Sequence, residues 1–468
     1  MSCSSGSAGF PPAAGPRPKS IPRSSPRGAA WPKRFHQAVE KWRDTYLPDF
    51  AYLMENWDRY FPRDDRFRLC AYRECGMPCS IECGEDQGKP KYTRACDMKP
   101  EAAQHLVSAI RAQASTEFGS IQQHQLTLAR AQSEEDQIWV LRMMAEELRH
   151  GYQMLHLLLS EDWSSVSGGV TGEQMVEEIL SMTTGSHVLD AFNLDYDSYT
   201  DNVVFAACID RVGKYQLTMQ KVCAYKPMAD SMPPMLREEA FHLAAGVIPM
   251  RRWAQKAAKG DVFVTMKMMQ HALNKWVPRG LEMFGDERGG GTNVRYGLKP
   301  MKNAEAQDQY YEEVKKVVAD LNMRYVRARC PEMTHGEAEA LLKAVLVEGQ
   351  VVRGIRPEDL LRAPHKHFFR RRGVPAFQKI GADGTEFADL DSYLHHLAQV
   401  LPESYLAGRD FREYAEAARQ VESGATTAEQ AAGRMPELRR VGGVCPCSKS
   451  VRWVQDVPAT AISPAAIS

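Results

Sequence analysis

An all-α fold with a four-helix bundle at its centre is what the sequence predicts, and three observations carry the prediction. Residues 101–131 and 134–160 both space their apolar side chains as helices do, and the polar break AQSEED divides them. A second pair of helical stretches lies on either side of KPMADSMPP, which reads as a loop. Each pair carries the same small pattern, a carboxylate followed about 30 residues later by Glu-x-x-His. The first copy is Glu117 with Glu147 and His150; the second is Asp210 with Glu239 and His242.

The spacing has a chemical meaning. Glu and His at i and i+3 on a helix share one face and reach one metal ion. Four carboxylates and two imidazoles aimed into a four-helix core form the ligand set of di-iron and di-manganese carboxylate proteins. Glu117 and Glu147 each lie about 15 residues from the polar break, roughly 22 Å at 1.5 Å per residue, so they stand level across an antiparallel pair. A single Glu-x-x-His carries little weight, since roughly one match is expected by chance in a chain with 13 His. Glu332–His335 is such a match and has no upstream partner carboxylate. Glu146 and Glu238 precede the chosen glutamates by one residue. They point about 100° away round the helix, so the ligand positions go to Glu147 and Glu239.

Composition narrows the class. With 44% hydrophobic and 25% charged residues the chain has an ordinary globular balance. A net charge of zero gives no general pull toward nucleic acid or an anionic membrane surface. No apolar run reaches the length that spans a bilayer. Eleven cysteines, with no evident secretory signal, predict reduced thiols and a cytoplasmic location.

Taken in order, residues 1–31 are a Pro-, Ser- and Gly-rich tail expected to be disordered. Extra N-terminal helices begin near Pro32, and residues 32–285 form the helical metal-binding domain. Cys70, Cys75, Cys79, Cys83 and Cys96 lack the tight pairs of a zinc or iron–sulfur site and read as isolated thiols. Cys445-Pro-Cys447 has no second pair and is given no role. A Gly/Ser-rich crossover near residues 161–198 joins the two hairpins, as ferritin-like bundles require. His156 and His187 read as packing groups or as partners of the ligands, and Gln122, Gln123 and Gln216 as hydrogen-bonding neighbours or solvated residues. Residues 286–408 form an irregular elaboration of short helices over the bundle mouth. Residues 409–468 are a polar helical extension with a disordered end.

The segment AFNLDYDSYTDNVVFAACIDRVGKYQL with MLREEAFHLAAG resembles the oxygenase component of benzoyl-CoA 2,3-epoxidase, and so do ASTEFGSIQQHQ and AEELRHGYQMLHLLL. The related phenylacetyl-CoA epoxidase catalytic subunit is also a ferritin-like di-iron protein. The likeness covers roughly residues 105–405; residues 70–100 and the last 60 or so depart from it. It implies two Fe ions held by Glu117, Glu147, His150, Asp210, Glu239 and His242, with Glu147 and Glu239 bridging. O2 would be the co-substrate. One oxygen atom would enter the ring of an aromatic acyl-CoA and the other would leave as water. Electrons would come, as the resemblance implies, from a separate NADPH-dependent flavin and iron–sulfur reductase; no stretch here reads as a nucleotide or flavin site. Lys366, Arg370, Arg371 and Arg372 are then the candidates for the coenzyme A phosphates; the alternative reading is a solvated basic patch or a reductase-docking face. No nucleic-acid or membrane partner is expected, and the chain is read as a monomer or small homo-oligomer. The rival readings are a ferritin-like di-iron oxidase of another substrate, a radical-generating subunit using Tyr152, and a non-catalytic metal-binding helical protein.

Overall fold

The structure, a computed structural model, describes residues 33–285 and 290–432. The tail, Cys445, Cys447 and the C-terminal end lie outside the described residues. Helices dominate, and among the described residues only isolated β-bridges form, with no strand. The all-α fold and its central bundle are borne out. In order the helices are α1 (Lys33–Tyr46), α2 (Phe50–Tyr60), α3 (Pro100–Gln125), α4 (Glu134–Leu159), α5 (Gly172–Ser181), α6 (Tyr199–Gln220), α7 (Lys226–Ala258) and α8 (Met266–Glu282). Then come α9 (Gly290–Arg295), α10 (Asn303–Arg329), α11 (His335–Leu346), α12 (Leu390–Val400), α13 (Glu403–Ala407) and α14 (Arg409–Glu422).

The bundle is two hairpins, α3–α4 and α6–α7. Pro100 opens α3 where its missing N–H costs nothing. Ser133 caps α4 by accepting from the Asp136 N–H, and Glu134, Glu135 and Asp136 set negative charge against the positive end of the helix. Helix α3 stops at Gln125, sooner than periodicity suggested. A 3₁₀ turn at Leu128–Arg130 completes the connection, and the Thr127 hydroxyl receives the Asn202 amide from α6.

The second hairpin corrects the sequence reading. KPMADSMPP is not a loop: α7 starts at Lys226 and runs for 33 residues through Pro233, Pro234 and Pro249. The turn is only residues 221–225. Pro227 sits in the first turn, where proline is favoured. Pro234 cannot donate to the carbonyl of Asp230, and that oxygen instead accepts from the Glu74 backbone N–H at 2.8 Å. The segment after α2 therefore supplies the donor that makes the proline tolerable. Helices α6 and α7 also approach closely, because a Cβ on Gly246 would collide with the backbone of Ala206 and Ala207.

The crossover is tied down by residues that sequence alone left ambiguous. The Gln122 side chain donates to the Met182 carbonyl at 2.9 Å, and Gln123 donates to those of Ala191 and Leu194 at 2.8 and 2.6 Å. His187 meets Gln122 Oε1 at 2.9 Å and Ser115 Oγ at 3.2 Å, so it packs the crossover onto α3. Burial lowers the pKa of His187, and that of His124, to about 3 from an ordinary 6.5. Both stay neutral in the fold and become protonated in the unfolded chain below about pH 6.5. Each then removes about 1.4 kcal/mol of stability per pH unit as pH falls from there toward about 3, and nothing above. Urea midpoints measured between pH 7 and 5 should show this loss, and His187→Gln should flatten the slope by one histidine's share.

The C-terminal part packs around α6, α7 and α8. The segment expected as short helices is one 27-residue helix, α10. It is held to α6 by Glu313 with Arg211 at 2.7 Å and Lys214 at 2.9 Å, and to α7 by Asp320 with Arg251 at 2.7 Å. Phe368, Phe369, Tyr393 and Tyr414 continue the same apolar core, while α11 covers a small separate one around Val326, Leu341 and Val345.

Candidate metal centre

All six sequence-derived residues are buried and come from the four bundle helices: Glu117 from α3, Glu147 and His150 from α4, Asp210 from α6, Glu239 and His242 from α7. Ligand atoms of Glu117, Glu147 and His150 lie within 4.8 Å of one another, and so do those of Glu147, Glu239 and His242. The two groups share Glu147. His150 Nδ1 is 3.5 Å from Glu147, 3.7 Å from Glu117 and 3.9 Å from Glu239. His242 Nδ1 is 3.5 Å from Glu147 and 3.7 Å from Glu239. Glu147 and Glu239 thus stand between the imidazoles, whose ring centres are 5.5 Å apart. Asp210 faces the same space beside Glu239.

The fit to metal is tested by what these atoms lack. Glu147 Oε2, Asp210 Oδ2, Glu239 Oε2, His150 Nδ1 and His242 Nδ1 are all buried without a hydrogen-bond partner. So many orphaned acceptors in one place are expensive unless a cation joins them. Burial and repulsion from Glu117 push the Glu147 carboxyl well above the usual range, and burial with repulsion from Glu239 does the same to Asp210. Burial works against charging His150 and His242, but the surrounding carboxylates outweigh it and raise both imidazoles well above 6.5. A group of acids and bases strained in this way is neutralised by divalent cations. The donor set, carboxylate oxygen with imidazole nitrogen, suits iron or manganese.

Sequence reasoning missed two participants. His150 Nε2 faces Glu238 Oε2 at 2.9 Å, and His242 Nε2 faces Glu146 Oε2 at 3.2 Å. Each glutamate set aside for pointing away from its own helix's ligands grips the imidazole of the opposite helix. An ionised carboxylate only accepts, so Nε2 carries a proton and Nδ1 is the atom that would give its lone pair to a metal at the centre. Arg142 holds Glu146 at 3.0 Å, and Arg149 is paired with Glu238. The signal was present as a doubled Glu before both x-x-His motifs, AEELRH and REEAFH.

Beside the carboxylates lies a cavity of about 180 Å³. Glu117, Glu147, Asp210 and Glu239 line it, with Ala109, Ala112, Leu189, Phe192, Ile209 and Phe284 as apolar wall and Gln113, Thr116 and Ser120 among its polar residues. Gly213 leaves room beside Glu239, whose Oε1 would be 3.3 Å from any Cβ placed there.

Other expectations are corrected. Arg370 and Arg371 are buried: Arg371 pairs with Asp410 and donates to Tyr405 at 2.7 Å, and Arg370 faces Glu282 at 3.8 Å. Arg372 binds Asp190 at 2.8 Å and Lys366 pairs with Asp308. Arg370 and Arg371 are internal and face the chain's own carboxylates, as internal charges must, while Arg372 and Lys366 are partly exposed and each paired with one carboxylate. Tyr152 points away from the centre, its hydroxyl 3.1 Å from His36 Nδ1 on α1. His335 pairs with Glu339 on an exposed surface, as an accidental motif should. No disulfide joins the five cysteines at 70–96, and none is in a metal-ligand group among the described residues. Among the described residues no helix is long and apolar enough to cross a membrane.

Fold and centre together define a helical bundle with buried carboxylate–histidine groups that could hold metal. Residues 91–340, over half of the chain, match the phenylacetic acid catabolic protein family, and the chain belongs to it. It is also 28% identical over 179 residues to benzoyl-CoA oxygenase component B of Aromatoleum evansii, across 38% of this chain and 37% of that protein. The chain thus matches well under two thirds of that relative's length.

Proposed function

We propose that this protein is the oxygenase component of a di-iron monooxygenase that epoxidises the ring of an aromatic acyl-CoA, with a separate reductase supplying electrons. Glu117, Glu147, His150, Asp210, Glu239 and His242 would hold the two irons, Glu147 and Glu239 between them. Bound there, iron supplies the activation of O2. The relative named as a component of a benzoyl-CoA oxygenase supports both the thioester substrate and the existence of a partner component.

The observation that carries the reading is the cavity. At about 180 Å³ it slightly exceeds the roughly 150 Å³ apolar cavity that holds benzene in another protein. A single aryl ring fills it, in contact with the four carboxylates that line it. The alanine, leucine and phenylalanine walls exclude water from the ring, and the shape fixes which edge meets the ligand cluster.

Anaerobic loading with Fe(II), then O2 with benzoyl-CoA or phenylacetyl-CoA and a chemical reductant, tests this by product mass. One added oxygen atom, dependent on two irons per chain, is expected; two irons bound with no oxygenated product from either thioester would refute the substrate assignment. Ala112→Phe should fill the chamber, leave iron loading intact and lower kcat/KM for the aryl thioester at least about 100-fold.

A further inference from the structure

Beyond the aryl chamber the wall turns polar, and one cation organises it. Lys299 Nζ lies 2.7 Å from Gln216 Oε1 and 3.3 Å from Asn303 Oδ1. Both amides line the cavity. Among the described residues this ammonium has no carboxylate partner, and burial lowers its pKa to about 8, still mostly charged at neutral pH. An ammonium has only donors, so it fixes both amides with their oxygens toward itself and their NH2 groups turned away. Two amide donors are thereby presented to the cavity.

Their height is informative. Gln216 lies six residues beyond Asp210 on α6, about 9 Å along the axis. That is about the span of an aryl ring touching the carboxylates plus the carbonyl attached to it. Gln220, one turn further out, also lines the cavity; it is buried, and its Oε1 has no hydrogen-bond partner. Those four residues rise about 6 Å, close to the reach from a thioester carbonyl to the first amide N–H of a pantetheine arm.

We propose that Lys299 is a positioning residue that turns Gln216 and Asn303 to donate to the thioester carbonyl oxygen, while Gln220 accepts the first pantetheine amide N–H. This rests on the aryl-CoA reading and deepens it: the site reads the acyl thioester itself, not only the ring.

The test is calorimetric binding to anaerobic, iron-loaded protein of benzoyl-CoA and of S-benzyl-CoA, in which a methylene replaces the carbonyl. The intact protein should prefer benzoyl-CoA by about tenfold or more. Lys299→Met should bring that ratio close to one with iron content unchanged, and Lys299→Arg should restore it. Gln220→Leu should weaken both probes equally and leave the ratio alone. Benzoyl-CoA bound with the same ratio in the Lys299→Met variant would overturn this proposal while the aryl-CoA reading stands. Failure of the intact protein to bind either thioester would overturn both.

Discussion

Glu147→Ala or Glu239→Ala should abolish turnover and reduce iron from two per chain to less than one, while the helical fold survives. Glu147 belongs to both ligand groups, and Glu239 lies within 4 Å of both imidazole Nδ1 atoms, so losing either should disturb both candidate metal positions. Loss at Glu117 or Asp210 affects one side only and should be milder. Stability should respond in the opposite sense without metal. Four buried carboxylates crowd the empty-handed apoprotein, with Glu147, Asp210 and Glu239 each leaving an oxygen unpaired. Glu147→Gln removes one acid from that cluster at nearly constant volume and should stabilise the apoprotein by about 1–4 kcal/mol. With Fe(II) present the order should reverse, since the intact site gains more from the metal. Thermal melts with and without Fe(II), alongside iron analysis, check both halves. Unchanged iron and activity in both alanine variants would remove the metal-centre reading.

The candidate ligand set was legible because it is periodic. A carboxylate and Glu-x-x-His repeated across two hairpins single out six side chains by helix geometry; all six are buried, five of them fall into the two metal-ligand groups, and Asp210 lines the adjoining cavity. What depended on tertiary partners was less legible. Pro233 and Pro234 read as a loop because proline breaks isolated helices; the donor that rescues the Asp230 carbonyl comes from Glu74, far away in sequence. Three consecutive arginines read as a surface for phosphate because their acidic partners, Asp190, Glu282 and Asp410, are scattered over 221 residues and meet them only in the fold. The chamber was invisible for a similar reason: its walls are ordinary alanines, leucines and phenylalanines taken from separate helices.

Glu146→Ala and Glu238→Ala should each weaken Fe(II) binding about 10- to 100-fold, although neither side chain reaches the metal positions. The cause is the crossed pairing, in which each glutamate orients the imidazole of the other helix and holds its proton on Nε2. Without that acceptor the ring can take the other tautomer, which puts N–H where the lone pair is needed. Arg149 makes the loss at Glu238 sharper, since its carboxylate partner goes with it, whereas Arg142 keeps Asp64 when Glu146 is removed. Glu→Gln keeps an oxygen acceptor and gives up only the charge, so it should recover most of the affinity. A merely structural role would make the two substitutions alike. The variants sit on different helices but serve one cluster, so the double alanine variant should lose less than the product of the single effects. Competition with a chelator of known Fe(II) affinity measures all of these. Affinity unchanged in both alanine variants would show that the imidazoles are held by packing alone.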